Sequence, residues 1–282
     1  MNSVRIVADS GCDLPAVIVA QLGITIVPVY VRFGQEMVPS SELSNAEFWE
    51  RVERSSVAPG TSSPPPGAFY QVFEKLVAAG HDVICLTLPA RHSGTFNAAW
   101  AAAQEFGERV RVIDTGSFSV GMGLQVLIAA KEALAGRSAE FIQQLLDDLR
   151  RRTSIIFALD TLEYVRRGGR LDRIMPLIER VAAALRVKPI VEMSDGEFHF
   201  LGVARSTRGA LQRIEEELRS RWPLAQVAAT YTRGCEIAND LIAYLAGLLN
   251  VNLSDILAVE AGPAFAAHAG PKALGAALIR GQ

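Results

Sequence analysis

The sequence predicts an α/β protein in two parts: an N-terminal parallel α/β/α domain over residues 1–152 and a C-terminal α+β domain with a mixed sheet over residues 153–282. Three observations predict it. Short apolar runs alternate with helical patterns as far as residue 115, the order of a parallel sheet joined by helical crossovers. After residue 152, two apolar runs flank Ser194-Asp195-Gly196, a turn that makes neighbouring strands antiparallel. The 282 residues suffice for one large or two medium cores.

Taken in order, residues 4–8 form an apolar strand ending at Asp9-Ser10-Gly11. Residues 15–22 read as a helix with Pro15 in its first turn, where an N–H is not needed. Residues 24–33 are a second, β-branched strand, and 44–54 a helix with Phe48, Trp49 and Val52 on one face. Three prolines exclude helix from 61–66, and a helical pattern follows at 70–79. Val83, Ile84, Leu86 and Leu88 mark a buried strand, and Phe96, Ala98, Ala99, Ala101 and Ala102 a small-residue helix. Residues 110–114 are a strand ending in Thr115-Gly116-Ser117. Helices follow over 120–134 and 138–152, with Gly136 as C-cap and Ser138 as N-cap.

In the second part, 154–159 is a strand, 161–167 a short helix and 171–185 a longer helix containing Pro176. Residues 187–193 and 197–204 form the hairpin. A helix over 207–221, a strand over 226–231 and a helix over 236–249 come next, and strands are expected at 256–259 and 273–278.

Composition narrows the function. Net charge is −2 and the pI about 6.1, so no long-range attraction to nucleic acid or an anionic membrane is expected. Hydrophobic residues make up 50% and mean hydropathy is +0.22. That fits a chain with an internal apolar cavity, although high alanine content contributes most. Cys12, Cys85 and Cys235 are scattered, which argues against a disulfide framework or a zinc site. No apolar run reaches transmembrane length and the first strand follows Met1 at once, so a cytoplasmic protein without stable membrane insertion is expected.

The chemistry gathers at strand ends. Ser93-Gly94-Thr95 lies between a strand and a helix, where backbone N–H groups lack partners and the helix dipole is positive. Hydroxyls there can cradle an anion or a carboxyl group, or Ser93 can be an ordinary cap. Asp9-Ser10, Ser93 and Ser117 all follow strands and can share one edge of the sheet, where ligands of parallel α/β proteins bind. Arg166-Arg167-Gly168-Gly169-Arg170 reads as a helix C-terminus for its glycines, with Arg170 open to an anion contact. A Ser93–His268 pair would make a lipid-directed serine hydrolase, but no G-x-S-x-G elbow occurs. The phosphate-loop pattern is also missing, and Val126 spoils a dinucleotide fingerprint after Gly121-Met122-Gly123.

Five motifs in order give a resemblance. They are Asp9-Ser10 with Asp13-Leu14-Pro15, Thr61-Ser62 with Pro64, and Ser93-Gly94-Thr95-Phe96, followed by Gly168-Gly169-Arg170 and His268-Ala269-Gly270-Pro271 with Ala273-Leu274-Gly275. The chain resembles the DegV family over nearly its whole length. The resemblance implies a DegV-like fold and a protein that encloses one long-chain fatty acid without a cofactor or metal. It also implies a binding subunit that presents the carboxyl group to a separate ATP-binding fatty acid kinase subunit, giving an acyl phosphate for phospholipid synthesis. By the same resemblance, Thr61, Ser93 and His268 hold the carboxyl, Ser62, Gly94 and Thr95 adjoin them, and Ser10 and Arg170 are supporting candidates. The acyl chain is expected between the two domains, along Ile155, Ile156 and Phe157. Pro89-Ala90 before the serine turn and Lys272 after Pro271 depart from the family pattern, at the outer rim of the expected pocket.

Overall fold

The computed structural model describes residues 3–182 and 187–281. The chain begins β1 (Val4–Asp9), α1 (Ala16–Gln21), β2 (Thr25–Val27), β3 (Tyr30–Phe33), β4 (Glu36–Pro39), α2 (Asn45–Arg54), β5 (Gly60–Ser62), α3 (Pro66–Ala78), β6 (Asp82–Thr87), α4 (Thr95–Ala103), β7 (Val110–Asp114), α5 (Ser119–Leu134) and α6 (Ala139–Arg152). It continues β8 (Thr153–Ala158), α7 (Glu163–Gly168), α8 (Met175–Ala182), β9 (Lys188–Ser194), β10 (Glu197–Ala204), α9 (Thr207–Ser220), β11 (Leu224–Tyr231), α10 (Ala238–Leu249), β12 (Leu257–Glu260), α11 (Pro263–Ala269) and β13 (Leu274–Arg280).

A parallel sheet has the order β2-β1-β6-β7. Its central strands are apolar along their length because helices cover both faces. On one face, Phe69 and Phe73 of α3 and Ala99 of α4 pack on Val7, Val83 and Cys85. On the other lies α5, buried nearly all round, as its run of small and apolar residues requires.

The second large sheet is mixed, in the order β10-β9-β8-β13-β11-β12. Its last strand in sequence, β13, lies centrally, antiparallel to β8 and β11, while β12 runs parallel to β11. Asp195 and Gly196 both take positive φ (47° and 75°), as a tight hairpin between β9 and β10 demands. Helix α5 also packs against this sheet. One core therefore joins Ile6 and Leu86 to Ile155, Met193 and Ala277 across the 152/153 boundary.

The third sheet, β4-β3-β5, corrects the single strand expected over 24–33. Pro28 offers no N–H to a ladder, so the chain leaves the parallel sheet after Val27 and starts a new pairing at Tyr30. Two further boundaries differ. Helix α3 starts at Pro66 rather than residue 70, because proline suits a first turn. For the same reason α8 begins at Met175 with Pro176 next to it, not at residue 171. Residues 183–185 of that expected helix lie outside the described residues.

Candidate functional site

A cavity of about 650 Å³ opens beyond the carboxyl ends of the parallel strands, bounded by the mixed sheet and α11. Its size is that of a small-molecule site. One wall is polar and brings together Thr61, Ser62, Ser93, Gly94, Arg170 and His268. The rest is largely apolar, with Val29, Leu88, Leu159, Val165 and Met193 beside four phenylalanines, and with Arg91, His92, Asn97 and Ser119 among them.

Thr61 Oγ1 and His268 Nε2 lie 2.8 Å apart, joining residues 207 positions distant. Thr61 is held in β5 by pairing with Val31, and α11, which carries His268, packs on β3 and β5. Burial, then the nearby Arg170 charge, pushes the His268 pKa down to about 3, so the ring is neutral at physiological pH. Its Nδ1 is buried and has no hydrogen-bond partner among the described residues. A Cβ at residue 168 would sit 2.8 Å from that nitrogen. Gly168 thus makes room for the imidazole, whereas Gly169, at φ 67°, is the left-handed C-cap the sequence predicts.

Ser93 combines its two sequence readings. Its Oγ accepts from Thr95 N–H (3.3 Å), a capping contact, and also borders the cavity. The first helical residue is Thr95, with Gly94 as N-cap. Thr95 is fully buried and outside the cavity lining, and its Oγ1 lies 2.8 Å from Ser93 Oγ. It orients Ser93 from behind. Gly94 allows Ser63 to approach, since a Cβ there would come within 3.1 Å of Ser63 Oγ.

Arg170 borders the cavity, donates to Gly168 O (2.7 Å), and has no carboxylate in ion-pair range among the described residues. Burial and then Arg32 lower its pKa. Ser10 does not join this wall. Its Oγ accepts from Val29 N–H (2.9 Å) and pairs with Ser40 Oγ (2.7 Å), beside a separate cavity of about 410 Å³. Ser117 is buried away from the main cavity. Of the three residues expected along an acyl chain, only Phe157 lines it. Ile155 and Ile156 point into the cores on either side of the mixed sheet.

Sequence reasoning named Phe157 but missed the rest of the aromatic wall. Phe118 and Phe265 stack at 5.2 Å, Phe157 meets Phe118 edge-on at 5.6 Å, and Phe198 contacts both Phe118 and His92. A signal existed for Phe265, which lies three residues before His268 and so on the same helix face. Asn97, four residues after Ser93, also lines the cavity.

The hydrolase arrangement is poorly served. His268 Nε2 engages Thr61 rather than Ser93, and no carboxylate orients its Nδ1 among the described residues. A base with a pKa near 3 takes a proton weakly. Among the described residues, no cluster could hold a metal, and no helix is long and apolar enough to cross a membrane.

Comparison with known proteins agrees with this architecture. A DegV domain-containing protein of Deinococcus radiodurans is 36% identical over 98% of both chains. A structure described as fatty acid binding of a DegV family protein from Thermus thermophilus is 28% identical, with TM-score 0.87 and 99% coverage of each chain. A stearic acid-binding protein from Eubacterium ventriosum is 26% identical, with TM-score 0.85, covering 99% of this chain and 98% of that one. The family described as "Uncharacterised protein, DegV family" matches residues 3–281, and the chain belongs to the DegV family.

Proposed function

We propose that this protein encloses one long-chain fatty acid, holds its carboxyl group with Thr61, Ser93 and His268, and presents it in the cytoplasm to a separate ATP-binding kinase subunit that forms the acyl phosphate. The observation that carries the reading is the Thr61–His268 hydrogen bond on the wall of a largely apolar cavity that also gathers Ser62, Ser93 and Arg170. A carboxyl group withdrawn from water must be hydrogen-bonded. Hydroxyls donate to a carboxylate and accept from the neutral acid, so Thr61 and Ser93 serve both forms. His268, neutral through burial, adds a polar contact without a fixed charge. Arg170 supplies a nearby positive charge that favours the ionised carboxyl. Ser62 and Gly94 border the group, and Thr95 acts through Ser93. The fatty-acid ligands of the Thermus thermophilus and Eubacterium ventriosum relatives support the substrate class.

The acyl chain supplies the affinity. About fourteen methylenes at ~0.8 kcal/mol each give a gross ~11 kcal/mol, from which ordering the flexible chain subtracts a part. The purified protein is therefore expected to retain a fatty acid from its expression host. Native mass spectrometry is expected to show one excess mass per chain, lost on denaturation. Ligand-free protein that also fails to take up added fatty acid overturns the reading. A covalent adduct on Ser93 that survives denaturation points instead to the serine hydrolase.

A further inference from the structure

The first loop, residues 9–13, carries polar side chains that the cavity itself does not use, and each reaches a different segment of the polar wall. Asp9 Oδ2 accepts from Leu88 N–H (2.7 Å) just beyond β6, and Ser93 N–H bonds back to the neighbouring Pro89 carbonyl (3.0 Å). Ser10 Oγ accepts from Val29 N–H at the start of the small sheet, where Val31 pairs with Thr61. Asp13 Oδ1 accepts from Gly262 N–H (3.0 Å), which caps the helix carrying His268. Asp13 Oδ2 accepts from Ser119 Oγ (2.6 Å), next to Phe118.

We propose that this loop is the positioning hub of the carboxyl site, with Asp13 fixing His268 through Gly262 and α11. The proposal rests on the fatty-acid reading above. Two close approaches support it. A Cβ on Gly262 would lie 2.9 Å from Asp13 Oδ1, and one on Gly123 of α5 2.7 Å from the Cys12 carbonyl oxygen. Both neighbours lack a side chain where the loop presses in. Asp13 and Ser119 both take positive φ (50° and 48°), a conformation held only where surrounding contacts over-determine it. Asp13, Ser119 and Thr230 form one hydrogen-bonded row, the last two 3.2 Å apart. Gly262 and Phe265 lie on the same short helix segment as His268, so the carboxylate at one end sets the imidazole at the other.

The test pairs substitutions. Asp13→Ala is expected to weaken binding of a fluorescent fatty acid at least about tenfold, the scale of a lost charge-assisted hydrogen bond. Asp13→Asn keeps both contacts, because the Ser119 hydroxyl can reverse, and is expected to stay within a few-fold of wild type. Asp13→Ala combined with His268→Ala is expected to be no weaker than His268→Ala alone, whereas its loss multiplies with that of Ser93→Ala. A merely structural Asp13 would multiply with both, and that result overturns the proposal. Unchanged affinity in Asp13→Ala does so too. A second measurement needs no ligand. The His268 ring, followed by NMR, is expected not to titrate between pH 5 and 8 in wild type and to titrate there in Asp13→Ala, as release from burial restores its pKa toward 6.5. An unmoved ring overturns the hub. Wild-type protein that binds no fatty acid overturns only the functional reading and leaves this titration to judge the hub.

Discussion

On the polar wall of the cavity the side chains are short and tied to one another, Thr61 to His268 and Ser93 to Thr95. On the aromatic wall Phe118, Phe157, Phe198 and Phe265 touch only through ring faces and edges. The polar wall comes from four separate segments: the short strand β5, the turn into α4, the loop after α7 and the last turn of α11. The aromatic wall comes from elements that also build the core, with Phe157 in the central strand β8 beside Val191 and Leu171. The two walls therefore do different work. Hydroxyls at element ends are removable without opening the core, and in the proposed function it is they that hold the ligand. Rings in the sheet hold up the fold and the cavity together.

The largest expected effect follows from the aromatic wall. Phe157 is only 4% exposed, and Phe157→Ala is expected to lower unfolding free energy by about 3–5 kcal/mol. Chemical denaturation measures it. An unmoved midpoint would show that this wall is a ligand surface alone and would erase the contrast between the two.

A second effect concerns the loop behind the polar wall. Burial raises Asp13 from 3.8 to about 6 and Asp9 to about 7, and the Asp13 charge adds to the latter shift. Between pH 4 and 6 the folded chain holds protons that the unfolded chain has released. Stability from these groups is therefore greatest near pH 4 and falls as pH rises through about 6 and then about 7, by at most about 1.4 kcal/mol per unit per proton. Cys12, pushed up to about 12, does not titrate in this window. Two buried neutral imidazoles oppose the trend below about pH 6.5, because His268, held at about 3, and His92, lowered by burial, refuse protons that the unfolded chain takes up, and exposed carboxylates with lowered pKa, such as Glu197, oppose it toward the acid end. The carboxyl contribution is read by difference: in thermal melts from pH 4.5 to 7 the wild type is expected to lose stability relative to Asp13→Asn as pH rises. A difference between wild type and Asp13→Asn that stays flat over this range counts against a buried Asp13 carboxyl.

The third effect belongs to the polar wall alone. Ser93→Ala is expected to cost ~1.5–3 kcal/mol of fatty-acid affinity, the scale of a hydrogen bond to a charged group, with a smaller loss of about 1 kcal/mol in stability from its contacts to Thr95. Titration calorimetry beside a melt separates the two. A shifted melt with unchanged affinity returns Ser93 to a plain cap.

The contrast also explains what could be read before the structure. Hydrogen-bonding chemistry leaves local marks, because a hydroxyl beside a helix start must sit next to the glycine and threonine that shape the turn. Ser93-Gly94-Thr95 was legible for that reason, whereas Thr61-Ser62 was legible only through the resemblance of its motif to the family. The alternation of strands and helices was legible because period and turn residues are local too. The break at Pro28 was within reach, since a proline inside a strand run argues against one continuous strand. Ring packing leaves no such mark. Phe118, Phe198 and Phe265 come from a loop, a hairpin strand and a short helix, and only the fold brings them together. Ile155 and Ile156 look as suitable as Phe157 in sequence, but Ile156 faces the opposite side of the strand, and Ile155, on the same side as Phe157, is covered by α5.

The smallest effect tests the contrast at two adjacent residues, Gly168 and Gly169. Gly169 takes φ 67°, where an alanine is strained by about 1 kcal/mol, and it points away from the imidazole. Gly168 is not in that region of backbone space, but an added methyl would meet His268 Nδ1 at 2.8 Å. The ring would have to swing, and its Nε2 would leave Thr61. Gly169→Ala is therefore expected to lower the melting temperature by a few degrees with fatty-acid affinity intact. Gly168→Ala is expected to weaken binding several-fold with a smaller thermal shift, because the imidazole can yield where the backbone cannot. Equal effects of the two alanines on affinity would mean that the glycines serve only to end α7, and that His268 tolerates displacement without loss to the ligand.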